Sequence, residues 1–286
     1  MEREPIMFEH TTTTDDAATD APPAAMTFGN ASHRGRVRRA NEDDHVSAPD
    51  LGFFVVADGV GGAPGGAVAA RLATIGMVYA LRSSGATAPV SDASGEEEES
   101  PVESHGPRLV AAAHQAHRFI IDHAARSGVR GAATTMAALW VIGARALVAN
   151  TGDSRVYRLA AGGLEQLTRD HTVLQEHIDE VGPPSERMVP MMENVVTQVL
   201  GGRHSRLPVV RVVELPIRRR EVLLLCTDGL YKMLRDDEIA SILAHSRSAQ
   251  DAASTLVERA NDAGGHDNIT AIVVHVEPPD SAQPVA

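Results

Sequence analysis

Four aspartates stand where a carboxylate can meet a hard cation. Asp58 closes the apolar run FFVVA and precedes Gly59, and Asp228 closes EVLLLCT and precedes Gly229. Asp153 follows an apolar run within GDSR, and Asp267 sits in GGHDN just before ITAIVVHV. A carboxylate at a strand end is held by a rigid element yet faces outward, and an adjacent glycine lets backbone or ligand approach closely. Carboxylates that converge repel one another unless cations neutralise them. Oxygen donors suit Mg²⁺ and Mn²⁺, and no Cys/His group has the spacing of a zinc site. Singly, each aspartate reads as an Asp-Gly turn or a cap. Their joint occurrence in one order is what points to chemistry.

The elements that must carry these acids are legible in the hydrophobic pattern. Phe53 to Ala57 reads as a buried strand. Helices are expected over Gly65 to Leu81 and Leu109 to Ala125, then over Asp236 to His245 and Ala249 to Ala263. Strands are expected at Thr135 to Ile142, Ala146 to Asn150, Arg155 to Leu159 and Leu164 to Leu167. Their short connections demand antiparallel pairing, because parallel strands need a long crossover. Val209 to Leu215, Glu221 to Thr227 and Ile269 to Val276 add three more strands. The pattern predicts an α+β fold, antiparallel sheet inside and helices outside.

The chain has 286 residues, 43% of them hydrophobic but only 3% aromatic. The core must therefore be aliphatic, and stacking on nucleic-acid bases is excluded as a main function. A formal charge of -12 repels nucleic acid and anionic membranes. No run reaches transmembrane length and no apolar leader opens the sequence, so a cytoplasmic protein is expected. Cys226, the one cysteine, lies inside LLLCT and reads as core. Residues 1–25 and 278–286 read as disordered tails, and 83–107, with its Glu96 to Glu99 run, as an acidic surface insertion.

Taken in order, RRANED (38–43), VVADGVGG (55–62), ATT (133–135), ANTGDSRVYRL (149–159), LTRDHT (167–172), NVVTQVLGG (194–202), LLLCTDGL (223–230) and GGHDNITAIVV (264–274) resemble the bacterial metal-dependent type-2C protein phosphatases. The resemblance covers residues 26–277 and implies a four-layer α-β-β-α sandwich of two antiparallel sheets flanked by helices. It implies hydrolysis of phosphoserine and phosphothreonine by water activated at a binuclear Mn²⁺ or Mg²⁺ centre. By the same resemblance, Asp58 bridges two ions, the Gly59 carbonyl ligates one, and Asp228 and Asp267 complete the other. Glu42 or Asp43 acts near the first ion, mainly through water. Asp153 pairs with Asp228 around a third, weaker ion, and Arg38 holds the substrate phosphate. The implied partners are phosphorylated proteins, among them a Ser/Thr kinase and its substrates, and the implied state is a monomer. Residues 172–195 match the family's mobile flap.

Val60 stands where some relatives carry a histidine proposed as general acid, so the proton donor is unassigned. Thr134 and Thr135 read as supports of the metal site, and His171 as fixing the turn after it rather than as a catalyst. The competing reading is a catalytically weak phosphatase-like module that binds phosphoproteins. Retention of every expected carboxylate argues against it.

Overall fold

The computed structural model describes residues 8–9, 25–60, 65–83, 101–129, 131–203, 206–218 and 220–277. One sheet contains β1 (Phe8–Glu9), β3 (Asp43–Ala48), β4 (Phe53–Asp58), β6 (Met136–Ile142), β7 (Arg145–Thr151) and β11 (Arg211–Pro216), in the order β1-β11-β7-β6-β4-β3. The other contains β2 (Ala25–His33), β8 (Arg155–Ala160), β9 (Gly163–Gln166), β12 (Val222–Cys226) and β13 (Ile269–Glu277), in the order β2-β13-β12-β8-β9. A two-stranded piece pairs β5 (Ala133–Thr134) with β10 (Leu200–Gly201).

Strand alternation divides the core into three layers. Phe53, Val55 and Ala57 face the long helices α1 (Gly66–Ser83) and α2 (Pro101–Ser127), whereas Phe54 and Val56 face the second sheet. On β12, Val222, Leu224 and Cys226 pack with α6 (Asp236–His245) and α7 (Ala249–Asp262), and Leu223 and Leu225 face the first sheet. The result is the expected α-β-β-α stack. Cys226 is buried on its helix side, where burial pushes its thiol pKa up and keeps it inert.

Three expectations change. Within the expected tail 1–25, Phe8–Glu9 runs parallel to Val212 and Val213, the one parallel pairing among the described strands. β11 would otherwise leave an edge of the sheet unpaired, and a short extended segment satisfies it. The insertion expected over 83–107 ends earlier, because α2 begins at Pro101 rather than near Leu109. Proline is compatible with a helix's first turn, where its missing N–H is no loss. Residues 84–100, like the tail 278–286, lie outside the described residues. The strands β2 and β3 had no clear signal, since Gly29, Asn30, Asp43 and Asp44 dilute their apolar pattern.

Candidate active site

The site lies at one end of the seam between the sheets. Asp43 and Asp58 are directly paired across β3 and β4, so both side chains emerge on one face. That face is the one carrying Phe54 and Val56, four and two residues back along β4. The second sheet answers with hydroxyls. Thr227 and Thr270 donate to Asp43 Oδ2 at 2.8 and 2.7 Å, and Ser32 lies 2.8 Å from Thr270. Thr227 Oγ1 also accepts from the Thr270 amide at 3.0 Å. Asp43 is thereby the pin that joins the two sheets beneath the cleft.

Asp58 stands above it with its backbone clamped. Its amide donates to Thr135 Oγ1 at 3.1 Å and its carbonyl accepts from Thr134 Oγ1 at 2.8 Å and the Thr135 amide at 2.9 Å. Thr135 in turn meets Ser154 at 2.7 Å. Gly59 donates its amide to the Glu42 carbonyl at 3.2 Å. Its bridge to Thr134 is made by bonds from the flanking residues, Val60 to Ala133 and Thr135 to Asp58, so the ladder leaves the Gly59 carbonyl unused. A Cβ on Gly59 would lie 2.4 Å from the Gly66 carbonyl carbon, so only glycine lets α1 start this close. Gly229 is equally constrained, 2.0 Å from the Asn268 carbonyl oxygen on the same test.

The carboxylates crowd one another. Burial, then the charges of Asp43, Asp228, Asp153 and Asp267, hold the Asp58 pKa well above the usual carboxylate range. Asp43 is pushed up to about 7, by burial first; the Thr270 and Thr227 hydroxyls oppose the rise, and Asp228 and Asp267 add to it. Asp153 is also pushed up to about 7, by burial and then Asp228, with Lys232 opposing. Asp43 Oδ1 and Asp228 Oδ1 are buried and lack a hydrogen-bond partner among the described residues. Buried carboxylate oxygens without partners are costly. An all-oxygen set in this state fits hard divalent cations.

Two cations of the chain itself touch this cluster. Arg38 Nη2 donates to Asp267 Oδ2 at 2.6 Å, and its side chain is 45% exposed, which puts a guanidinium on the open rim. Burial pulls the Arg38 pKa down, but Asp267 outweighs it and the net shift is upward. Lys232 Nζ lies 2.6 Å from Asp228 Oδ2, 3.9 Å from Asp153 Oδ2 and 2.7 Å from Asn194 Oδ1. Among the described residues, no three Asp, Glu, His or Cys side chains form a closed cage. Asp267 is turned to Arg38 and Asp228 to Lys232, and repulsion opposes further closure of the rest.

The structure therefore brings Asp43, Asp58, Asp153, Asp228 and Asp267 into mutual electrostatic reach and sets Arg38 on the rim. Glu42 and Asp43 diverge. Asp43 points into the seam, while the Glu42 carboxyl lies beside Gly66, where a Cβ would meet its carboxyl carbon at 3.3 Å. Sequence reasoning missed Lys232, although an acid followed four residues later by a lysine was a visible signal. It missed Thr227 and Thr270 as well, because their convergence on Asp43 depends on register. His171 ties loops together: its Nδ1 accepts from the Gly152 amide at 3.1 Å, and its backbone bonds Gly152 and Thr197. Burial, then Arg169 and Arg211, lower its pKa to about 4, so it is neutral and structural.

Two antiparallel sheets that open at one end onto an oxygen-only acidic cleft define the class: the architecture is that of the metal-dependent phosphatases. A profile of protein phosphatase 2C matches residues 31–269, and the chain belongs to that family, as a serine/threonine phosphatase. It is 30% identical over 247 residues to the serine/threonine phosphatase stp of Listeria welshimeri, spanning 84% of this chain and 92% of that one. Among solved structures, PppA of Pseudomonas aeruginosa, described as a key regulatory component of T6SS, is 31% identical with a TM-score of 0.70, covering 89% of this chain and 99% of that one. The catalytic domain of PstP, solved in complex with 2 manganese ions, is 27% identical with a TM-score of 0.71, at the same coverages. Metal dependence is characteristic of this family.

Proposed function

We propose that the phosphatase works with two divalent cations, Mn²⁺ or Mg²⁺, held by Asp58, the Gly59 carbonyl, Asp228 and Asp267, with Glu42 acting through water. When bound, such ions supply an activated water and positive charge for the phosphoryl oxygens. The observation that carries this reading is Asp58: a half-buried carboxylate facing four others, with partnerless oxygens on two of them. Asp43 serves as the pin beneath the site, since both threonine hydroxyls already occupy its Oδ2. Arg38 is the phosphate clasp. Its planar fork matches two phosphate oxygens, which a lysine cannot copy. The clasp is held ready at the rim by Asp267.

The projecting segment 172–195 acts as the flap over the substrate. It carries α3 (Val173–Glu180) and α4 (Val189–Met192), neither of which has a buried residue. Its base is closed by the Thr172–Val196 bridge and by Val173 N–H to the Val195 carbonyl at 2.9 Å. The substrates are phosphorylated proteins, set against a Ser/Thr kinase, and the enzyme acts as a cytoplasmic monomer. The phosphatase stp relative supports the substrate class. No described helix is long and apolar enough to cross a membrane.

The test is hydrolysis of a phosphothreonine peptide with Mn²⁺ titrated into chelator-treated protein. Activity should rise with Mn²⁺ and fall at least about tenfold in Arg38→Lys, a loss of transition-state stabilisation near 1.4 kcal/mol. Full turnover in chelator, or in Asp267→Asn, would overturn the assignment.

A further inference from the structure

The family resemblance implies a third ion between Asp153 and Asp228, and at that place the chain puts an ammonium group. Lys232 Nζ is 2.6 Å from Asp228 Oδ2 and 3.9 Å from Asp153 Oδ2. It also donates to Asn194 Oδ1 at 2.7 Å. The ammonium donates to Asp228 and Asn194 and makes a longer ion pair with Asp153, so it gathers three separate parts of the chain. The geometry is set by a short helix, α5 (Asp228–Tyr231), which carries Asp228 at one end and hands on to Lys232 one turn later.

The surroundings hold this arrangement firmly. Tyr231 OH donates to the Asp153 carbonyl at 3.0 Å, tying the Asp153 loop to the same helix. The Arg155 guanidinium covers the Tyr231 ring at 3.6 Å from its centre and is itself gripped by Asp170 at 2.6 to 3.1 Å. The Lys232 side chain is only 25% exposed. Its ammonium lies against the two carboxylates and the Asn194 amide oxygen, with its stem packed into the fold. A protonated amine and a divalent ion cannot share one space between the same two carboxylates. The two oxygens of Asp228 divide accordingly: Oδ2 is taken by Lys232, and Oδ1 is the partnerless one left for the main cleft.

We propose that Lys232 is a tethered cation that occupies the third-ion place. The phosphatase then loads two ions rather than three. Asp153 is the counter-charge of Lys232 and not a metal ligand. Through Asn194, two residues before the Val196 bridge that closes the flap, the same ammonium fastens the end of the flap to Asp228. The inference rests on the reading of Asp58, Asp228 and Asp267 as ion ligands.

Counting bound Mn²⁺ tests it without any assay of turnover, by calorimetric titration together with native mass spectrometry. Wild type should bind two ions per chain, and Asp153→Asn should leave that number unchanged. Lys232→Ala should admit a third ion, which the double variant Lys232→Ala/Asp153→Asn should lose. Lys232→Met keeps the apolar stem and gives the same count should the alanine variant misfold, as judged by circular dichroism. Three ions in wild type, one of them lost in Asp153→Asn, would overturn the proposal while leaving the two-ion reading intact. Two ions in folded Lys232→Met would overturn it as well. Binding of no Mn²⁺ by wild type would instead sink the underlying assignment of the ligands, and the proposal with it.

Discussion

Midway along the seam between the sheets, Phe54, Val56, Leu223, Leu225, Ile272 and Val274 are fully buried against one another. One step further along the same strands, on the same faces, stand Asp58, Thr227 and Thr270, with Asp43 of β3 paired opposite Asp58. The backbone ladders do not distinguish the two regions. The first is held by apolar burial, worth about 1.5–3 kcal/mol for each large side chain. The second is held by hydroxyls donating to a single carboxylate, and the carboxylates around it repel each other. The seam thus spends stability at one end that it gains in the middle, and a cation is what makes the acidic end favourable.

The largest expected effect is on the acidic end. Asp58→Asn should lower the Mn²⁺-dependent turnover of a phosphopeptide at least about a hundredfold, since charge stabilisation by metals contributes several kcal/mol. The same variant should be more stable than wild type in chelator. Asp58 has a folded pKa raised above its unfolded value, so its native state holds a proton that the unfolded chain releases as pH rises above 3.8. Wild-type stability therefore falls with rising pH across that window, and the asparagine removes the loss. Thermal melts in chelator across pH 5 to 8 measure both. A destabilised Asp58→Asn would break the contrast between the two regions.

Leu225→Ala probes the apolar middle. It should cost about 2–5 kcal/mol in urea unfolding, with turnover per folded molecule unchanged. A smaller, related change is Thr227→Val, which removes the hydroxyl shared by Asp43 and the Thr270 amide. Its expected cost is about 1–3 kcal/mol, larger in chelator than with Mn²⁺. Equal costs in both conditions would mean that the pin and the ion site are independent.

His171 gives the mildest test, because it lies beside the acidic end without belonging to it. Its pKa is about 4 in the folded chain against 6.5 ordinarily. The unfolded chain therefore binds the extra proton between these values, and stability is lost as pH falls from 6.5 towards 4, by at most about 3 kcal/mol. His171→Asn should flatten that part of the stability–pH curve, measured by urea midpoints. An unchanged slope would assign the acid sensitivity to other groups.

Much of this was legible in the chain. Asp58, Asp153, Asp228 and Asp267 each follow or precede an apolar run, and strands end where those runs end. The helices Asp236–His245 and Ala249–Asp262 were likewise visible from their period. What the pattern does not carry is register. Asp43 meets Thr270 across 227 positions only because β3 pairs with β4 and β13 with β12 in one alignment. The divergence of Glu42 from Asp43 and the meeting of Lys232 with Asn194 depend on that same alignment. The parallel strand Phe8–Glu9 left no trace either, because two residues are too few for any period.

The place of β13 in the sheet has a consequence for how the enzyme is born. β13 lies between β2 and β12, and Asp267, Asn268 and Thr270 come with it. A ribosome working at roughly 5–20 residues per second needs on the order of ten seconds or longer to travel from Asp43 to Thr270. Through that interval the nascent chain has its first acids but neither the closing strand nor the hydroxyl beneath them. Dephosphorylation cannot begin on a half-made molecule, so activity appears only once the strand that completes the second sheet has emerged and docked.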